Sequence, residues 1–171
     1  ELNFQELWKL FAETDKQIKE TSQQIKATDA KIGALTGKWG RFVEGLVAPA
    51  AERLFQERGI AVDRISQRVK ARKNGGTLEI DVLAVNGEYA VLIEVKSTLG
   101  VDDINEQLER LGQFKEFFPE YRDRKVLGAV AGIAIDECAD RYAYKQGLFV
   151  IGQRGDTVQI FNDDTFRPKA W

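Results

Sequence analysis

The sequence predicts an α/β protein. Its core is an αβββαβ arrangement with a mixed sheet flanked by helices, preceded by a long N-terminal coiled-coil helix. Three observations carry this. Apolar residues recur every seven positions over residues 1–35. Two runs rich in Val, Ile and Leu flank an Asn86-Gly87 pair. Beyond them, helical and strand periodicities alternate.

Taken in order, the heptad places Phe4, Phe11, Ile18, Ile25 and Ile32 at a, and Leu7, Thr14, Thr21, Thr28 and Leu35 at d. Gln, Lys, Glu and Asp fill the faces between, leaving a narrow stripe. A narrow stripe suits self-association better than packing on the chain's own domain. Residues 1–36 are therefore expected to be an oligomerisation helix and residues 37–171 a separate domain, with Gly33, Gly37 and Gly40 loosening the boundary. Trp39, Phe42, Val43, Leu46, Val47, Ala50, Leu54 and Phe55 then predict a helix over 38–58, stopped by Gly59 and interrupted by Pro49. Strands are expected over 61–72, 78–85 and 89–95, with Asn74-Gly75-Gly76 as a turn and Asn86-Gly87 as a tight hairpin. A helix over 102–118 with Asp102 or Asp103 as N-cap, a strand over 126–135, a helix over 136–146, and strands over 148–151 and 158–161 complete the order. Arg154-Gly155-Asp156 reads as the last hairpin turn. The single cysteine, Cys138, is expected to be buried packing near a helix start.

Composition removes several chemistries. The 171 residues hold no His and one Cys. Ser-His-Asp and Cys-His catalysis, His-bearing zinc sites and a thiolate zinc site within the chain are thereby excluded. Any metal must bind oxygen, which points to Mg²⁺, Mn²⁺ or Ca²⁺. The absence of a run of eighteen apolar residues argues against a membrane span. One cysteine and no export signal lead to the expectation of a reducing cytoplasm. The chain starts at Glu1 and contains no Met, so a native start is expected to precede it.

The hairpin concentrates the chemistry. With Asn86-Gly87 as a two-residue turn, Val85 faces Glu88, Leu83 faces Ala90, Asp81 faces Leu92, and Glu79 faces Glu94. Alternation then puts Glu79, Asp81, Glu94 and Lys96 on one face, while Ile80, Val82, Ala84, Tyr89, Val91, Ile93 and Val95 form an apolar opposite face. Carboxylates converging on a sheet repel and raise each other's pKa unless a cation joins them. A divalent ion relieves that repulsion, and a neighbouring ammonium suits it to attack on a phosphodiester. The alternative reading is an ion-paired strand cluster with a structural role.

These residues resemble the PD-(D/E)xK superfamily of restriction-endonuclease-like nucleases, whose signature is an Asp on one strand and (D/E)-x-K on the next. Here it runs Asp81, twelve residues, then Glu94-Val95-Lys96, with Ile80 where the Pro of the name would stand. The resemblance covers roughly residues 38–151. It implies an Mg²⁺ (or Mn²⁺) dependent deoxyribonuclease, endo- or exonucleolytic. Asp81, Glu94 and the Val95 carbonyl would be metal ligands and Lys96 would position or activate water. It also matches Glu44 on the first helix to a metal-reaching Glu, and Gln107 to a polar active-site residue of some branches. Glu79 is a secondary candidate ligand.

Charge is uneven. Residues 36–73 hold nine Lys/Arg against four acidic residues, whereas residues 74–171 hold eleven against seventeen. Arg64, Arg68, Lys70 and Arg72 share one parity on the first strand, and Lys73 follows. They form a candidate phosphate-contacting strip for DNA or, alternatively, a charge-protected edge strand. The competing function is a non-catalytic nucleic-acid-binding or assembly module that keeps the same fold.

Overall fold

The computed structural model describes residues 13–14, 16–25, 27–28 and 43–171, with the side chains of Val43 and Glu44 outside the described set. The chain divides into two units, Glu1–Arg41 and Phe42–Trp171. In the first, every described residue is helical and exposed. Ile18 and Ile25, both at heptad a positions, are 62% and 56% exposed. The heptad positions Phe4, Leu7, Phe11, Ile32 and Leu35 lie outside the described residues.

The second unit is a six-stranded mixed sheet in the order β1-β2-β3-β4-β5-β6. The strands are β1 (Arg64–Lys73), β2 (Gly76–Val85), β3 (Tyr89–Leu99), β4 (Lys125–Ile135), β5 (Phe149–Arg154) and β6 (Thr157–Ile160). β3, β4 and β5 are parallel neighbours; the flanking pairs are antiparallel. The helices are α1 (Ala48–Gln56), α2 (Val101–Phe117) and α3 (Ala139–Lys145). Among the described residues no helix is long and apolar enough to cross a membrane.

Pro49 stands where the expected interruption falls: a π-helical turn over Val43–Val47 gives way to α1 beside it, so Pro49 lies in the first turn of α1. Gly59, at φ +76°, closes the turn after α1. Arg154-Gly155-Asp156 is the β5–β6 turn, as expected. Cys138 differs from expectation: it is exposed, with a left-handed backbone at the N-cap of α3.

Two apolar layers sandwich the sheet. Val82, Ala84, Val91 and Ile93 pack with α1 residues such as Leu54 and Phe55. Leu83, Val85, Ala90 and Leu92 pack with α2 residues such as Ile104, Leu111 and Phe114. The predicted alternation holds near the turn and changes beyond it. Ile80 and Leu78 lie in the α2 layer rather than with Val82. On β1, Ile65 packs on the α1 side but Val69 and Ala71 pack on the α2 side. Arg68 causes the switch: its φ of +52° interrupts the β1–β2 ladder between Gln67–Val82 and Val69–Ile80. The far half of the β1–β2 hairpin is thus turned over and leans on α2, where Lys73 Nζ donates to the Glu116 carbonyl at 2.9 Å.

Candidate functional site

The β2–β3 turn sits one residue later than the sequence predicts. Val85 faces Ala90, Leu83 faces Leu92 and Val82 faces Ile93. Asn86 is the reason. Its Oδ1 accepts the backbone N–H groups of Glu88 (2.8 Å) and Tyr89 (2.6 Å), and its own N–H donates to the Tyr89 carbonyl (3.0 Å). An Asn bonding its backbone two residues on occupies the first corner of a turn, not its centre. Gly87-Glu88 therefore forms the tip. Each facing pair moves by two residues, so over the paired stretch Val82–Val85 and Ala90–Ile93 every side chain keeps its face. Continued one step, the observed register brings Asp81 level with Glu94 instead of Leu92.

The ladder stops at Val82–Ile93, since β2 turns away there with β1. Asp81 sits at this fork. Its Oδ2 accepts the Val95 N–H at 2.9 Å, a side-chain bond in place of the missing ladder bond. Glu94 is only 5% exposed. Burial, and then the nearby Asp81 charge, push its pKa up from 4.5 to about 7, against the opposing pull of Arg110 and Lys96.

Cations line the other side. Lys96 Nζ lies 3.3 Å from Glu94 Oε1 and 3.4 Å from Asp103 Oδ1. Burial alone would lower the Lys96 pKa, but Glu94 and Asp103 outweigh it and hold it above the ordinary lysine value. Arg110 Nη1 is 3.2 Å from Glu94 Oε2, and its Nη2 is 3.4 Å from Glu106 Oε2. Asp103 is placed by the start of α2: Gly100 is the N-cap, and Asp103 Oδ2 accepts the Gly100 N–H at 2.9 Å. The expected N-cap at Asp102 or Asp103 is thus corrected by one short turn, and Asp103 serves as the third residue of a capping arrangement.

Asp81, Glu94 and Lys96 are brought together; the other sequence candidates are placed elsewhere. Gln107 is buried under the sheet, where its Nε2 donates to the carbonyls of Leu92 (3.0 Å) and Ala129 (3.3 Å). It ties α2 to β3 and β4. Glu79 pairs with Lys70 on the exposed β1–β2 half-hairpin at 3.3 Å. The Glu44 side chain lies outside the described residues. Arg64, Arg68, Lys70, Arg72 and Lys73 are all exposed. The single basic face is corrected, however. The left-handed Arg68 flips the strand, so Arg64 lies on the opposite sheet face from Lys70 and Arg72. Arg68 itself is level with Asp81 in the β1–β2 register.

Asp103, Glu106 and Arg110 were not singled out from the sequence. A signal was there. They lie three and four residues apart with Gln107, one face of a helix that begins five residues after Lys96. Among the described residues no three acidic side chains converge as a ready metal cage. The donor set is instead two carboxylates, Asp81 at the fork and the buried Glu94 beside it. That fits Mg²⁺ or Mn²⁺, which commonly bind through one or two carboxylates and keep several waters.

A family model described as "Protein of unknown function (DUF3782)" matches residues 2–70, short of half the chain. No protein with a curated description matches. Among solved structures, the chain is similar to a protein of unknown function, AF1548, at 20% identity and TM-score 0.42, over 60% of this chain and 54% of that one. It is also similar to a repair endonuclease from Pyrococcus abyssi, at 18% identity and TM-score 0.38, over 58% and 43% of the two chains. The third is the EndoMS–dsDNA2 complex, at 19% identity and TM-score 0.40, over 64% and 45%. The chain spans about half the length of these structures. None of these likenesses reaches a TM-score of 0.5, and the site stands on its own geometry.

Proposed function

We propose that this domain is a metal-dependent nuclease that hydrolyses phosphodiester bonds of DNA, with Asp81, Glu94 and Lys96 as its chemical centre. The observation that carries the proposal is Glu94. A buried carboxylate level with a second carboxylate, its pKa raised to about 7, is a place where a divalent cation relieves charge. Asp81, Glu94 and the Val95 carbonyl would hold Mg²⁺ or Mn²⁺, with Glu44 as a further ligand on the strength of the family resemblance. When bound, such an ion lowers the pKa of a water and polarises a phosphoryl oxygen.

The chain's own residues do the rest. Asp81 is oriented by the Val95 N–H and Glu94 by two cations, so neither carboxylate has to be found by rotation. Lys96 is held as a cation, which makes it a donor rather than a base. It can donate to a phosphate oxygen or orient the attacking water as negative charge grows on the phosphate. The exposed Arg68, level with Asp81, gives a phosphate contact beside the centre. Homo-oligomerisation through the N-terminal heptad would pair two such centres.

Incubation of single-stranded, duplex and branched DNA with Mg²⁺ or Mn²⁺ tests this. Cleavage is expected, abolished by Asp81→Asn and reduced on the order of a hundredfold by Lys96→Ala. Persistent inactivity on every substrate would overturn the enzyme reading. A second reading, a non-catalytic nucleic-acid-binding module, is favoured by one observation: both Glu94 oxygens already face protein cations. Titration with Mn²⁺ separates the two, since the module reading expects no ion at Glu94.

A further inference from the structure

Both oxygens of Glu94 are engaged by the protein itself, yet the two engagements are unequal. Lys96 is shared between Glu94 and Asp103. Arg110 Nη1 lies 3.2 Å from Glu94 Oε2 but is buried without a hydrogen-bond partner. Its contact with Glu94 is therefore an attraction without alignment, and the nitrogen still lacks an acceptor. The other terminal nitrogen, Nη2, donates to Glu106, a largely exposed carboxylate four residues earlier on α2. Arg110 thus has a second anion available, so leaving Glu94 would not strand a buried charge.

A divalent cation bound through Oε2 of Glu94 and the Arg110 guanidinium are like charges that repel and compete for that oxygen. A phosphodiester is the ligand that resolves the conflict. Its paired oxygens match the guanidinium fork and supply the acceptor that Nη1 lacks. We propose that Arg110 is a latch on the metal position: in the resting protein it holds Glu94 Oε2, and a phosphodiester oxygen of bound DNA draws Nη1 away and frees that carboxylate oxygen for the divalent cation. This inference rests on the nuclease reading of the site. Arg110 is a positioning residue in it, and DNA and cation bind with positive, reciprocal coupling. The resting domain would then discriminate against metal until substrate arrives.

The test is calorimetric titration with Ca²⁺, with and without a short duplex oligonucleotide. In the unsubstituted chain, DNA is expected to tighten Ca²⁺ binding on the order of tenfold. In Arg110→Gln, Ca²⁺ is expected to bind more tightly without DNA, and the gain from DNA to fall towards unity. Because Arg110 is partly buried, Glu106→Gln provides a second, exposed probe. Loss of the alternative anion should strengthen the hold on Glu94 and weaken Ca²⁺ binding without DNA. The comparison is Glu109→Gln, the same charge loss at an exposed position of the same helix. Equal Ca²⁺ affinity in Arg110→Gln and the unsubstituted chain, or Glu106→Gln indistinguishable from Glu109→Gln, overturns the latch and leaves the nuclease reading standing. Absence of Ca²⁺ binding in every protein overturns both.

Discussion

Glu94 concentrates the energetic tension of this domain. A carboxylate at 5% exposure is disfavoured by burial and by Asp81, and Arg110 and Lys96 only partly compensate. Its folded pKa of about 7 stands above the ordinary 4.5, so between those values the folded chain holds a proton that the unfolded chain has lost. The Glu94 contribution to stability is therefore greatest below pH 4.5, falls as pH rises through this window, and levels off above pH 7, a loss of about 3 kcal/mol at most. Glu94→Gln removes the titration. With a chelator present, the variant should melt higher than the parent at pH 8 and nearly level with it at pH 5. A lower melting temperature at pH 8 would mean that the two cations outweigh burial, contrary to this account. That Asp81 and Glu94 stand near each other was legible from strand parity, because on the paired stretch a slip of two residues changes partners but not faces. Gln107 was noticed for its type, but its task is to bind two strand carbonyls, a role that depends on how closely α2 approaches the sheet.

Two local devices set the elements around the site. Asn86 fixes the β2–β3 register through its side-chain oxygen, and Arg68 turns the hairpin over at the level of Asp81. A non-glycine residue in the left-handed region is uncommon, and such residues gather where a strand must be re-aimed. Helix α2 is seated by Gly128 of β4. A Cβ there would lie 2.5 Å from Leu111 Cδ1 on one side and 2.5 Å from Leu148 Cδ2 on the other. Both leucines are buried. Gly128→Ala should therefore cost about 1–3 kcal/mol through overpacking, more than the roughly 0.4–1 kcal/mol that the stiffer residue gains through the unfolded chain. A lowered urea midpoint is the expected readout; an unchanged one would mean that α2 has room to move. Element types were readable from periodicity. The N-cap of α2 was not, because the Asp102-Asp103 pair resembles a cap and Gly100 does not.

For the whole molecule, the N-terminal heptad predicts assembly in solution. Ile18 and Ile25 stand exposed on a helix whose d-position Thr21 and Thr28 bond their hydroxyls back to the Gln17 and Gln24 carbonyls at 2.8 and 2.9 Å. We expect the full chain to sediment as a dimer or larger, and Ile18→Asp with Ile25→Asp to shift it towards monomer. A monomer at all concentrations would remove oligomerisation from the proposal.

The sequence by itself determined the class of fold, the order of its elements, the exclusion of histidine and thiolate chemistry, and the nearness of Asp81 to Glu94. These follow from composition and from periods of two and 3.6, which are local properties. Tertiary structure alone decided that Asp81 takes the Val95 N–H at the fork beside Glu94, that the basic strand is flipped at Arg68, and that Arg110, Glu106 and Asp103 close on Glu94 and Lys96 from α2. Those depend on a side chain capturing a turn and on a helix returning across a sheet. Both are contacts between parts of the chain whose meeting no local period encodes.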